Sequence, residues 1–172
     1  TKYAVGVDSG LSALELSLRA FGVGPGDEVI VPTHTFTATA SAISFAGAKP
    51  VFVDANPETW NIDVEKIEEA ITPHTKAILP VHLYGRMVDM RGFSRTAEEY
   101  NLILIEDAAH CIEGFREGLR PGELSHAACF SFYATKSMTC GEGGALVCRS
   151  AEDASWYRSA RHHGISKNAS YR

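Results

Sequence analysis

Short apolar runs alternate along this chain with longer stretches whose apolar positions recur every three or four residues, the pattern of strands interleaved with helices. Strands are predicted near Tyr3 to Val7, Glu28 to Val31, Pro50 to Val53, Ala77 to Pro80, Leu102 to Glu106, Ala127 to Phe132 and Gly144 to Cys148. Helices are expected between them. One runs from Ser12 to Phe21, with Leu14, Leu16, Leu18 and Phe21 as its apolar positions and Gly22 and Gly24 ending it. Another follows Phe36 through Ala46 and stops at Gly47. Asp63 reads as the N-cap of a helix reaching Ile71, with Val64, Ile67, Ala70 and Ile71 on one stripe. Asp89 to Tyr100 and Ala151 to His162 complete the set, and Pro25-Gly-Asp27 and Asn56-Pro-Glu58 read as turns. This alternation implies a three-layer α/β fold with a mostly parallel central sheet covered on both faces. No repeat, low-complexity stretch or linker divides the chain, so a single domain is expected.

Composition narrows the class. With 172 residues, 45% of them hydrophobic and 22% charged, the chain can bury a sizeable core. A net charge of -5 leaves no basic footprint for nucleic acid or an anionic membrane, so any anionic ligand must be held locally. The four cysteines form no Cys-x-x-Cys pair and the histidine spacing offers no closed metal site, which fits a reducing cytoplasm. Gly, Pro or charge interrupts every apolar run well before the roughly 20 residues that span a bilayer. Thr1 to Val7 lacks the layout of a signal peptide and reads as a strand already under way, while the polar run after Arg158 stops without a closing element. Both features are expected of a piece of a larger domain.

Two segments carry candidate chemistry. Lys136 stands alone in Phe130-Ser-Phe-Tyr-Ala-Thr-Lys136-Ser-Met-Thr-Cys-Gly-Glu-Gly-Gly144, amid small and aromatic residues. Burial among such neighbours lowers a lysine's pKa toward the unprotonated amine that condenses with an aldehyde; the alternative is a solvated lysine beside a glycine turn. Upstream, Leu102-Ile-Leu-Ile-Glu-Asp107-Ala-Ala-His110 is an apolar run closed by two carboxylates and a histidine, as at the C-terminal end of a buried strand. Asp107 there can keep a pyridine nitrogen protonated, or it can cap the next helix. Ser9-Gly10-Leu11-Ser12, between strand and helix, offers backbone N–H groups to a phosphate, although a tight glycine turn also occurs without any ligand.

With Pro32-Thr-His-Thr-Phe-Thr-Ala-Thr-Ala40, Gly26-Asp-Glu-Val-Ile-Val-Pro32, Lys49-Pro-Val-Phe-Val-Asp54 and Pro80-Val-His-Leu-Tyr-Gly85, these segments resemble the DegT/DnrJ/EryC1/StrS family of pyridoxal-phosphate sugar aminotransferases, in the family's order and over nearly the whole chain. The resemblance implies the large, cofactor-binding domain of a fold-type-I transferase, present here in part. A preceding segment and a smaller C-terminal domain would lie outside residues 1–172. It further implies pyridoxal 5'-phosphate as cofactor, with Gly10, Leu11, Ser12 and Ser131 at its phosphate and Phe36 stacked on its ring. Asp107 would sit at the ring nitrogen, His110 at the phenolic oxygen or bracing Asp107, and Lys136 would form the Schiff base and move the proton. Leu11 departs from the family, which usually has Thr there. An amino acid, typically glutamate, would be donor and a nucleotide-linked keto-deoxysugar or related cyclic ketone the acceptor. Gly141-Glu-Gly-Gly144 leans toward 4-amino sugars, and the sites would be shared across a cytoplasmic homodimer. Glu106 is expected to be structural, and His82, Tyr84, His126, His162 and His163 to be packing, cap or surface residues, while His34 and Thr35 carry no assigned role. The rivals are a degenerate or regulatory cofactor-binding paralogue and a plain nucleotide-binding α/β domain; the latter lacks both Gly-x-Gly-x-x-Gly and a Walker lysine.

Overall fold

The apolar strands divide their side chains between two cores. Val29 and Val31 belong to one cluster and Ile30 to the other; Ala77 and Ile78, Ile105 and Leu104, and Cys129 and Ala128 split in the same way. A strand points successive side chains to opposite faces, so a continuous apolar run is what a sheet covered on both sides requires. The computed structural model describes residues 2–165. Its strands are β1 (Tyr3–Val7), β2 (Glu28–Pro32), β3 (Lys49–Val53), β4 (Thr75–Ile78), β5 (Ile103–Asp107), β6 (Ala127–Ser131) and β7 (Gly144–Cys148). They form a seven-stranded sheet in the order β1-β7-β6-β5-β4-β2-β3. Pairing is parallel from β3 through β6, and β7 runs antiparallel to both β6 and β1.

Helices α1 (Gly10–Ala20), α2 (Thr37–Phe45) and α5 (Ala151–Ala160) cover one face, contributing Leu14, Leu18, Ile43 and Tyr157 to its core. On the other, α3 (Ile67–Ala70) and α4 (Met90–Glu99) contribute Ile67, Met90, Phe93 and Ala97. Each fully buried side chain of this size stabilises by about 1.5–3 kcal/mol relative to exposure. The layers are therefore those expected, and no helix among the described residues is long and apolar enough to cross a membrane.

Local departures have physical causes. The single helix expected over residues 63–71 is a 3-10 turn, Val64–Lys66, followed by the four-residue α3. Asp63 does cap it, accepting from Glu65 N at 3.2 Å, but Ile71 is already extended (φ -75°, ψ 128°) ahead of Thr72-Pro73, where proline disfavours helix. Strand β4 begins and ends two residues earlier than expected, since Pro80 has no N–H to give the ladder. Asp107 is the last residue of β5, and residues 108–114 form turns, so Asp107 caps no helix and His110 lies in a turn. Residues 166–172, part of the polar run expected to stop abruptly, lie outside the described residues.

Strand direction sets the site. Pro32, Asp107 and Ser131 are the carboxyl-terminal residues of β2, β5 and β6, and the register aligns Ser131 and Val7 with Gly144. Loops leaving these ends meet along one edge of the sheet, the usual ligand position in open α/β folds.

Candidate active site

A cleft of about 760 Å³ opens at that edge. Of the residues singled out in the sequence, Gly10, Leu11, Phe36, Asp107, His110, Ser131 and Lys136 all line it, drawn from α1, the α2 entry, the ends of β5 and β6 and the loops beyond. Ser12 does not. Its N–H donates to Ser9 Oγ at 3.1 Å, and its own Oγ accepts from Ser9 at 3.1 Å, so it serves the helix cap.

The start of α1 is held by close backbone contact. A Cβ at Gly10 would lie 2.9 Å from Ser131 Cβ, and one at Gly144 would collide with the Ser9 carbonyl carbon and oxygen. Only glycine lets α1 reach the ends of β6 and β7 this closely. Ser9 satisfies the Ser12 N–H and leaves those of Gly10 and Leu11 at the cleft, where a helix start attracts an anion. Leu11 supplies no hydroxyl there, and its side chain packs against the core under α1.

Asp107 is 5% exposed and held at both oxygens. Oδ1 accepts from Ala109 N at 3.1 Å and Oδ2 from Thr39 Oγ1 at 2.8 Å. The brace expected from His110 comes instead from Thr39. His110 accepts from Tyr84 N at 3.4 Å, and the two rings lie nearly parallel with centroids 6.1 Å apart. Burial lowers the His110 pKa and the charge of Lys136 adds to that, against the opposing pull of Asp107. Lys136 is half-buried, and desolvation lowers its pKa from the ordinary lysine value although Asp107 pulls the other way. Among the described residues it makes no ion pair.

Phe36, 69% exposed, flanks the cleft as N-cap of α2. His34 and Thr35 also line the cleft: His34 Nδ1 donates to Trp60 O at 3.2 Å, and Thr35 bonds Thr39. Glu106, next to Asp107 but on the opposite face, bonds His82 Nε2 at 2.6 Å, Gly122 N at 2.8 Å and the Ser125 hydroxyl, which makes it structural as expected. His82 accepts from Val88 N through Nδ1 at 3.3 Å, so Nε2 carries the proton given to Glu106. Sequence reasoning missed Thr39 and passed over Tyr84, which lines the cleft at φ 54°. No local signal set Thr39 apart, one of four hydroxyl residues in α2 with Thr37, Ser41 and Ser44, whereas Tyr84 was marked as a large aromatic beside Gly85.

A desolvated amine and a buried carboxylate thus face one cleft at the strand ends of a layered α/β domain, an arrangement suited to an anionic ligand that condenses with lysine. The chain belongs to the DegT/DnrJ/EryC1/StrS aminotransferase family, matched over residues 1–172. It is 44% identical over 170 residues to the GDP-perosamine synthase of Caulobacter vibrioides, covering 99% of this chain and 46% of that protein. It is 48% identical over 164 residues to the pleiotropic regulatory protein of Geobacillus stearothermophilus, covering 95% of this chain and 44% of that one. Among solved structures, Streptomyces venezuelae DesV in complex with a ketimine intermediate superimposes with a TM-score of 0.95 at 45% identity, covering 99% of this chain and 46% of that one. The chain spans about half the length of the relatives it matches.

Proposed function

We propose that, at the length of its relatives, this protein is a pyridoxal-phosphate-dependent aminotransferase moving an amino group from an amino acid, glutamate foremost, to a nucleotide-linked keto-deoxysugar or related cyclic ketone. In this reading it works in the cytoplasm as a homodimer, and residues 1–172 form its cofactor-binding large domain. The observation that carries the reading is Lys136, desolvated and of lowered pKa, sharing a cleft with the buried carboxylate of Asp107. The Caulobacter relative, a GDP-perosamine synthase, supports the acceptor class.

The residues fit the cofactor. The Gly10 and Leu11 N–H groups suit its phosphate, as does the Ser131 hydroxyl, which accepts from Tyr133 N at 3.3 Å and so keeps its proton to donate. Phe36 presents an exposed face for stacking and Asp107 an acceptor for a ring N–H. When bound, the cofactor supplies the electron sink for loss of a proton from the donor's Cα. Lys136 would link the aldehyde and, as a free amine of lowered pKa, would hold and move that proton. Asp107 would accept from the ring N–H and so favour the protonated ring nitrogen.

Borohydride reduction of the full-length protein with pyridoxal phosphate should fix the label on Lys136 by peptide mapping. Labelling of Lys49, Lys66 or Lys76 instead would overturn the assignment. A second reading, cofactor binding without turnover, is favoured by the Geobacillus relative's name as a regulatory protein and by Leu11. A change in visible absorbance on adding glutamate separates the two.

A further inference from the structure

Thr39 is 1% exposed, so its hydroxyl finds its partners inside the protein. It has one proton and two neighbours, Asp107 Oδ2 and Thr35 Oγ1, each at 2.8 Å. An ionised carboxylate only accepts, so the Thr39 proton goes to Asp107 and Thr35 must donate to Thr39. The result is a directed chain from Thr35 at the cleft wall through Thr39 on α2 to the end of β5, each link strengthening the next. Ala109 N fixes the other carboxylate oxygen, and the Asp107 main chain is pinned by Pro80 O at 2.9 Å and His82 N at 3.0 Å. The ionisable groups around Asp107 are Lys136 and His110 at the cleft and Cys129 on β6, while Glu106 turns to the other face. None of these donates a hydrogen bond to the Asp107 carboxylate among the described residues; Thr39 and Ala109 do.

We propose that Thr39, oriented by Thr35, is a positioning residue that keeps Asp107 an aimed hydrogen-bond acceptor and thereby keeps the ring nitrogen of the bound cofactor protonated. The inference rests on reading the cleft as a pyridoxal-phosphate site. It is tested in the full-length protein loaded with ring-15N pyridoxal phosphate. Wild type should show the protonated ring-nitrogen shift. Thr39→Val, of equal size but without the hydroxyl, should move that signal toward the unprotonated position and lower kcat about tenfold or more. KM for glutamate should change less than about threefold, since the donor is not touched. Thr39→Ser should restore both readouts, and Thr35→Val should move the signal by less than Thr39→Val.

A Thr39→Val signal at the wild-type position overturns the proposal, as does Thr39→Ser displaced as far as Thr39→Val. Should Thr39→Val fail to fold, Thr35→Val decides, and an unmoved ring signal there overturns it. A wild-type protein with no bound-ring signal overturns the cofactor reading itself and this inference with it, an outcome distinct from a bound ring that ignores Thr39.

Discussion

Lys136 is pulled two ways. Burial disfavours its charge and Asp107 favours it, and burial wins, so its pKa lies below the ordinary lysine value. The sign follows directly: a lowered pKa carries the unprotonated amine to lower pH, so Lys136 labelling should persist to lower pH than labelling of exposed lysines. The unfolded chain binds the proton more tightly, so this residue destabilises the fold below its own pKa, and that penalty fades as pH rises toward 10.5. Asp107→Asn keeps the side chain's shape but turns one of its two accepting oxygens into an NH2 donor and deletes the charge that would hold the ring proton. Transamination in the full-length protein should drop about a hundredfold or more, with stability changed by less than about 1 kcal/mol. A near-wild-type rate, measured by keto-acid release, would refute the role. Both residues were legible in the sequence because each is chemically conspicuous, a lone lysine among aromatics and a carboxylate closing an apolar run. Thr39 was not, since its partner lies 68 positions away and only the folded sheet brings them together.

The elements explain why neighbouring carboxylates have separate duties. On β5, Asp107 faces the cleft and Glu106 the opposite side, where it ties His82 from the loop after β4 and Gly122 and Ser125 from the loop before β6 into one buried network. Glu106→Ala would leave those donors unpaired in a site without water access. A loss of about 3–5 kcal/mol is expected, read as a lower urea midpoint at unchanged m-value. A midpoint within experimental error of wild type would show the network to be dispensable. The strands were legible because a sheet covered on both faces demands continuous apolar runs, and the cap at Asp63 because capping is local. The turns after Asp107 were not. Residues 108–126 follow no hydrophobic period, and their course is set by hydrogen bonds to distant groups, such as Cys111 Sγ to Gly85 O at 3.2 Å and His126 N to Leu104 O at 2.9 Å.

At the scale of the molecule, the cleft is wide and its rim apolar. Phe36 and Tyr84 are 69% and 75% exposed around it, and Trp60, 61% exposed, lies with its ring 5.6 Å from that of His34 on the cleft wall; Trp60 and Tyr84 hold positive φ, a backbone cost that bulky residues bear where structure or function requires it. The relatives are about twice as long as this chain, which leaves ample polypeptide to cover such a rim. Under the homodimer reading, each site draws cover and further phosphate contacts from outside residues 1–172. The full-length protein should then run as a dimer and bind pyridoxal phosphate at least about tenfold more tightly than the 172-residue chain, which exposes the rim and should self-associate. Light scattering and cofactor titration of the two side by side make the measurement. A monodisperse, monomeric 172-residue chain that binds the cofactor and transaminates as well as the full-length protein would show that the site is complete in itself and the dimer unnecessary.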